Sequence, residues 1–301
     1  MGDGIRVGFL GVGLMGHGAA KNILEKGYPL AILGHRNRAP VEDLVDRGAV
    51  EAADAAALAA TSDVVIICVP SGVEMEAAFA GPRGLMAGAR PGTIFVDATT
   101  NDPAVTRKVG AELAAIGCDL VDAAMGRTPK EAEEGRLATY VGGDPATIET
   151  VRPILETYAD TIVVCGGLGA GTTCKLVNNS VTIGMVAVIS EAFATAAKIG
   201  VDLEALSAVL SAGGANGGMW QMLKPWILEG DDSRLKGPIR IGAKDIRTYG
   251  RMAENAGVAT FIAQAVNQTL RLALNQGHAE RYLPVLPGIL AELNGAKIRD
   301  V

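Results

Sequence analysis

A chain of 301 residues that is 49% hydrophobic holds enough apolar surface for two cores without disulfide or metal staples. Its formal net charge of -6, with Lys and Arg scattered rather than clustered, excludes a general basic field for nucleic acid. The four cysteines form no CxxC pair and the three histidines lie in no His-rich segment, which argues against a metal cage or a disulfide framework and fits a reducing cytoplasm. The first strand starts within about five residues and no uncharged apolar run reaches roughly 18, so neither a signal peptide nor a membrane span is expected.

The chain opens with an apolar run, Arg6 to Leu10, that leads directly into Gly11-Val12-Gly13-Leu14-Met15-Gly16 and then an apolar-periodic helix ending at Gly27. In this strand, glycine turn and helix, Gly11 permits the tight turn, Gly13 lets the backbone approach a pyrophosphate, and Gly16 lets helix and strand pack closely. The helix N-terminus faces the negative charge, with Leu14 and Met15 beside it, so a dinucleotide is the expected ligand. Further strands are expected over Leu30 to Leu33, Val64 to Val69, Thr93 to Val96, Asp119 to Asp122, Ala138 to Gly142 and Thr161 to Val164, alternating with helical patterns as parallel βαβ units do.

Cofactor choice is read after the second strand, where an acid would hydrogen-bond the adenosine ribose and repel a 2′-phosphate. This chain has Gly34-His35-Arg36-Asn37-Arg38 there. The acid is missing, and Arg36 with Arg38 offers partners for a 2′-phosphate, so NADP is favoured over NAD. Val69 and Pro70 after the third long strand, and Thr99 after the next, stand where the nicotinamide end of the cofactor is expected.

After Gly166-Gly167-Leu168-Gly169 the alternation stops and the rest has helical periodicity. The expected architecture is α/β, a doubly wound Rossmann domain over residues 1–166, followed by an all-helical domain over residues 167–301 for substrate binding and oligomerisation. The second domain begins with a long helix, Thr172 to Lys198, apolar nearly all round and ended by Gly200. Later helices are expected at Leu203 to Ser211, Gly218 to Glu229, Ala243 to Ala256, Phe261 to Gln276 and from near Pro284. Trp220 and Trp226 on one predicted helix are read as core residues, with walling the pocket as the alternative role for either, and His17 is read as a surface residue. On the long helix, Lys175 is followed three and four residues later by Asn178 and Asn179, so the three share one face. A lysine desolvated among amides suits proton exchange with a hydroxyl or carbonyl oxygen.

Together the glycine fingerprint, Asp97-Ala98-Thr99-Thr100, Asp122-Ala123-Ala124-Met125-Gly126-Arg127-Thr128, Lys175-Leu176-Val177-Asn178-Asn179 and Gly242-Ala243-Lys244-Asp245 resemble the β-hydroxyacid dehydrogenase family over essentially the whole chain. The resemblance implies that Lys175 is the catalytic acid or base, that Asn179 orients the substrate, and that Lys244 lies near the cofactor. Asp245 is read either as the partner of that lysine or as a helix-start acid. Most of the family carries Ser-Gly-Gly where this chain has Gly126-Arg127-Thr128. That replacement, with Gly135-Arg136-Leu137 and Gly142-Gly143 after it, is similar to the sulfolactaldehyde reductase branch, although that branch carries Asp at the position of His35.

The implied enzyme is a cytoplasmic, NADP-preferring oxidoreductase, with NAD as the alternative cofactor. It interconverts a small anionic hydroxy compound and its aldehyde or ketone, with a sulfonate or phosphonate favoured. Gly126, Arg127, Thr128 and Asn178 bind the substrate, Arg127 and Thr128 as an anion clamp, where the substrate meets the nicotinamide at the domain junction. Alternatives are a carboxylate-specific dehydrogenase of the 3-hydroxyisobutyrate or semialdehyde type, an imine reductase, whose relatives usually lack the lysine, and an NADP-binding sensor without chemistry. A homodimer or homotetramer is expected, with no nucleic acid, membrane or metal partner.

Overall fold

One eight-stranded sheet, in the order β3-β2-β1-β4-β5-β6-β7-β8, organises the first part of the chain. The computed structural model describes residues 4–300. In chain order its elements are β1 (Val7–Leu10), α1 (Gly16–Glu25), β2 (Leu30–Leu33), α2 (Ala39–Asp46), β3 (Val50–Glu51), α3 (Ala55–Thr61), β4 (Val64–Ile67) and α4 (Gly72–Phe79). They continue with α5 (Leu85–Gly88), β5 (Ile94–Asp97), α6 (Pro103–Ala114), β6 (Asp119–Gly126), α7 (Pro129–Glu133), β7 (Leu137–Gly142), α8 (Pro145–Leu155) and β8 (Ala159–Gly166). The helices that follow are α9 (Ala170–Ile199), α10 (Leu203–Ala212), α11 (Gly218–Glu229), α12 (Ile239–Asn255), α13 (Phe261–Asn275) and α14 (Leu286–Leu293).

The continuous apolar run of β4 reflects burial on both faces. Val64 and Ile66 pack into one core cluster, and Val65 and Ile67 into the other. Two elements depart from the expected pattern. Strand β3 is too short and exposed to leave a periodic signature, yet it pairs with β2 and brings Glu51 level with Ile32. Strands β6 and β7 are antiparallel. The connection between them, residues 127–136, is shorter than the roughly twelve residues that a parallel crossover takes.

The chain divides into two compact units, Met1–Lys175 and Leu176–Val301, and the division falls within α9 rather than at the glycine cluster before it. Helix α9 is long and apolar enough to cross a bilayer by length and composition alone. Leu176, Ile183, Val186 and Phe193 are nevertheless buried in protein, as in a core helix. In the second unit Trp220 stacks on Phe193 with ring centroids 5.4 Å apart, and Trp226 is buried with them in a core completed by Ile246, Leu270, Leu286 and Ile289. Both tryptophans are core residues rather than exposed ones.

Candidate functional site

Four helices of the first unit begin on a residue whose side chain accepts from the first turn: Asp54 before α3, Ser71 before α4, Asp102 before α6 and Asp144 before α8. Helix α1 begins on Met15, which brings no side-chain acceptor, so no capping side chain takes up its first-turn N–H groups, although that of His17 goes to the Gly13 carbonyl at 2.9 Å. The turn before it is set by close packing. Gly11 has φ +101°, and a Cβ there would lie 2.0 Å from the carbonyl oxygen of Cys68; a Cβ on Gly16 would lie 2.0 Å from that of Gly11. A Cβ on Gly13 would meet nothing, and Leu14 beside it is exposed. The turn is thus welded to the sheet on one side and open at Gly13 on the other, as a pyrophosphate requires. His17 is not a free surface residue. Its Nδ1 lies 2.7 Å from Glu133 and its Nε2 2.9 Å from Asp43, a position set by the packing of α1 beside α7 and α2.

At the end of β2 the two arginines differ. Arg38 holds Glu51 through two hydrogen bonds of 2.7 Å, and Glu51 holds the Arg38 guanidinium over Gly34. His35 and Arg36 are exposed, and Arg36 has no hydrogen bond or ion pair among the described residues. Arg36 is therefore free to meet a phosphate, whereas Arg38 must leave an acid to do so.

Thr99 is a buried brace. Its hydroxyl accepts from the N–H of Val69 at 3.2 Å and donates to the carbonyl of Ile67, which fixes the turn into Val69 and Pro70 at the end of β4. The same turn after β5 is held by Asp97, which accepts from Thr99 N at 3.0 Å, Thr106 Oγ1 at 3.0 Å and Asn101 Nδ2 at 3.3 Å. Complete burial pushes the Asp97 carboxyl up from 3.8 to about 6, against the pull of these donors.

In the loop after β6 both side chains of the expected anion clamp already have partners within the protein. The Arg127 guanidinium lies 2.8 Å from Asp160 and 3.0 Å from Thr161 Oγ1, both on β8, and also donates to the Arg136 carbonyl. The Thr128 hydroxyl and N–H both go to Glu131 in the first turn of α7. Neither side chain stands ready for a ligand. Arg127 has φ +73°, the one positive value outside glycine among the described residues, so the turn keeps a left-handed conformation despite a side chain that resists it. Gly126 is closely approached by Tyr140, since a Cβ there would lie 3.1 Å from the Tyr140 hydroxyl and the ring would have to give way slightly. Tyr140 is half-buried on β7, with no hydrogen-bond partner among the described residues.

Lys175 is buried on α9, one turn into the helix. Asn178 is exposed and donates to Asn179 Oδ1 at 3.3 Å. Asn179 donates at 2.7 Å to Asp245 Oδ2, which is buried on α12. Asp245 lies well inside α12, because that helix starts at Ile239, so it is not a helix-start acid. Lys244 Nζ approaches Asp245 Oδ1 to 2.9 Å, at ion-pair distance but without the alignment of a hydrogen bond.

Residues 6–167 match the model for the NAD binding domain of 6-phosphogluconate dehydrogenase, and residues 169–282 match that for the NAD-binding of NADP-dependent 3-hydroxyisobutyrate dehydrogenase. The chain is 30% identical to 3-sulfolactaldehyde reductase of Escherichia coli, with 75% of this chain and 76% of that one covered. The chain belongs to the β-hydroxyacid dehydrogenase family. It is therefore an NAD(P)-dependent dehydrogenase or reductase acting on CH–OH groups. It is also 28% identical to the NAD-dependent L-serine dehydrogenase of Pseudomonas aeruginosa, over 96% of this chain and 99% of that one. A solved 3-hydroxyisobutyrate dehydrogenase from Salmonella typhimurium shares the fold, with a TM-score of 0.83 at 23% identity over 95% of this chain and 99% of that one.

Among the residues that order this β-hydroxyacid dehydrogenase, Glu51 and Tyr140 gave no sequence signal of their own. Glu51 lies on a two-residue strand, and Tyr140 reads as one more alternating residue of β7. Asp97 was visible as an acid closing an apolar strand, but its burial and its three donors belong to the loops that fold over it.

Proposed function

We propose that this dehydrogenase is an NADP-preferring enzyme that interconverts a small anionic hydroxy compound and its aldehyde or ketone, with Lys175 as general acid and base. The observation that carries this reading is the pairing on α9 of a buried Lys175 with an Asn179 whose amide is held by Asp245. Asn179 spends one amide proton on that carboxylate and keeps the other, one helical turn from the lysine, for a substrate oxygen. The bound nicotinamide nucleotide supplies or takes up the hydride. Gly11, Gly13 and Gly16, with Leu14 and Met15, hold its pyrophosphate, and Thr99 keeps Val69 and Pro70 in place for its nicotinamide end. Arg36 meets the 2′-phosphate beside His35, with Arg38 in reserve behind Glu51. In the second unit Lys244 is the proposed further cofactor contact.

In the reducing direction Lys175 gives its proton to the carbonyl oxygen as that oxygen gains negative charge, and in the oxidising direction it takes the hydroxyl proton. The substrate's anionic group is taken at the Gly126-Arg127-Thr128 turn, with the main chain of the turn in front and the Arg127 charge behind it. A sulfonate or phosphonate is the favoured group, supported by the Gly-Arg-Thr sequence and by the 30% identity to 3-sulfolactaldehyde reductase. Pairing of Arg127 with Asp160 favours a second reading, a carboxylate held by the turn alone.

The test is NADPH and NADH oxidation against short aldehydes and ketones bearing sulfonate, phosphonate or carboxylate groups. Preference for the first two classes supports the leading reading and preference for carboxylates the second; no turnover with any of them rejects both. Lys175→Ala is expected to lower kcat about 100-fold or more with cofactor affinity kept, and unchanged turnover removes Lys175 from the mechanism. A homodimer or homotetramer is the expected assembly, since Val181, Met185 and Val188 leave an apolar stripe exposed on α9; sedimentation of a monomer at micromolar concentration would reject it.

A further inference from the structure

We infer that Asp122 is a positioning residue that sets the place of Lys175, an inference that rests on the catalytic role proposed for that lysine. Asp122 is completely buried on β6, with no surface of its own to offer a ligand. Its Oδ1 accepts from the N–H of Gly169 at 2.6 Å and its Oδ2 from the N–H of Thr172 at 2.6 Å. Gly169 immediately precedes α9, and Thr172 is in its first turn. These are two of the N–H groups that a helix start leaves without partners. At α3, α4, α6 and α8 a neighbouring aspartate or serine supplies the acceptor, but Gly169 has no side chain and φ +90°. The acceptor comes instead from a strand 47 residues earlier, and one carboxylate does in trans what a local capping pair does in sequence.

The surroundings are shaped to admit it. A Cβ on Gly142 would stand 2.6 Å from Asp122 Oδ1, and one on Gly171 would stand 3.0 Å from Oδ2 and 2.2 Å from the Tyr140 carbonyl oxygen. Both glycines let the helix start lie directly on β6 and β7. Burial pushes the Asp122 carboxyl up, while the Thr172 and Gly169 N–H groups favour its charged form. A charged acceptor at the positive end of a helix makes short, strong bonds. Lys175 follows Thr172 by three residues on the same helical face, so the turn that Asp122 grips carries the lysine. The strand that bears Asp122 ends at Gly126, where the substrate turn begins. A single buried carboxylate therefore fixes the lysine helix against the strand that delivers the substrate turn.

Asp122→Asn keeps the shape, retains one acceptor, and confronts the other N–H with an NH₂ group. With the best substrate of the panel above, kcat is expected to fall about 30-fold while the KM for NADPH stays within about two-fold. In the Lys175→Ala enzyme the same substitution should change the residual turnover by less than about two-fold, because the group it positions is gone. An unchanged kcat in the single variant, or an equal loss on top of Lys175→Ala, overturns the inference. Lys175→Ala alone separates the two readings. If it leaves turnover intact, the catalytic role fails; if it lowers turnover and Asp122→Asn acts independently, only the positioning role fails. Should the variant not fold, amide hydrogen exchange in the unaltered protein decides. Gly169 and Thr172 should be protected well beyond Gly167, and exchange at the rate of an open loop would overturn the inference.

Discussion

At the end of β2, Arg36 stands in solvent with no partner among the described residues, whereas at the end of β6, Arg127 is bound to Asp160, Thr161 and the Arg136 carbonyl. Both follow an apolar strand at the edge where ligands of such folds bind, and in the sequence both read as anion partners. A guanidinium without a partner gains its full interaction with an incoming anion. One already paired must first give up an acid, so the net gain is much smaller. The difference teaches that charge at a site is not the same as charge available to a ligand. It also separates two settings of arginine: at β2 the side chain lies exposed, while at β6 it ties a left-handed turn to β8.

The largest expected effect is at β2. Arg36→Asp should move the ratio of kcat/KM for NADPH over NADH about 100-fold toward NADH, by removing one charge and adding its opposite, and a ratio that stays put makes Arg36 a bystander. Arg38→Ala should move the same ratio much less, because Glu51 already occupies that guanidinium. At β6 the comparison is broken by removing the acid instead. Asp160→Asn should lower the KM for the anionic substrate about five-fold by freeing Arg127, and an unchanged KM means that the guanidinium does not face the anion. Smaller still is the backbone effect. Arg127→Gly should be more stable than Arg127→Ala by about 1 kcal/mol in thermal or urea unfolding, since both lose the ion pair but only glycine relieves the positive φ.

The smallest effect is on the pH dependence of stability. The Arg127 guanidinium beside it holds the Asp160 carboxyl below its ordinary value of 3.8. Its folded-state pKa is depressed, so its contribution is complete above 3.8 and is lost as pH falls below that value. The Tm difference between the unaltered protein and Asp160→Asn should shrink over that acidic range, and a difference independent of pH would show that the pair contributes nothing through its charge.

The strand, glycine turn and helix at the N-terminus were legible because each step is local: an apolar run, three glycines at fixed spacing, and a helical period. Lys175, Asn178 and Asn179 were legible for the same reason, since helical geometry alone puts them on one face. The antiparallel pairing of β6 and β7 was not, because strand direction depends on how a ten-residue connection crosses or fails to cross the sheet. The partners of Arg127, Arg38 and His17 were hidden as well. Each is paired with an acid brought from another element by packing, 33, 13 and 26 residues away for Asp160, Glu51 and Asp43.

By itself the sequence determined the class of fold, the nucleotide-binding turn and the lysine-bearing helix, because these follow from spacing along the chain and from which side chains water excludes. Only the tertiary structure decided which charges remain free, why Gly171 admits no side chain, and that Asp122 serves a helix far along the chain. Those outcomes depend on hydrogen bonds and close contacts between segments distant in sequence, and such contacts exist only once the sheet has brought the segments together.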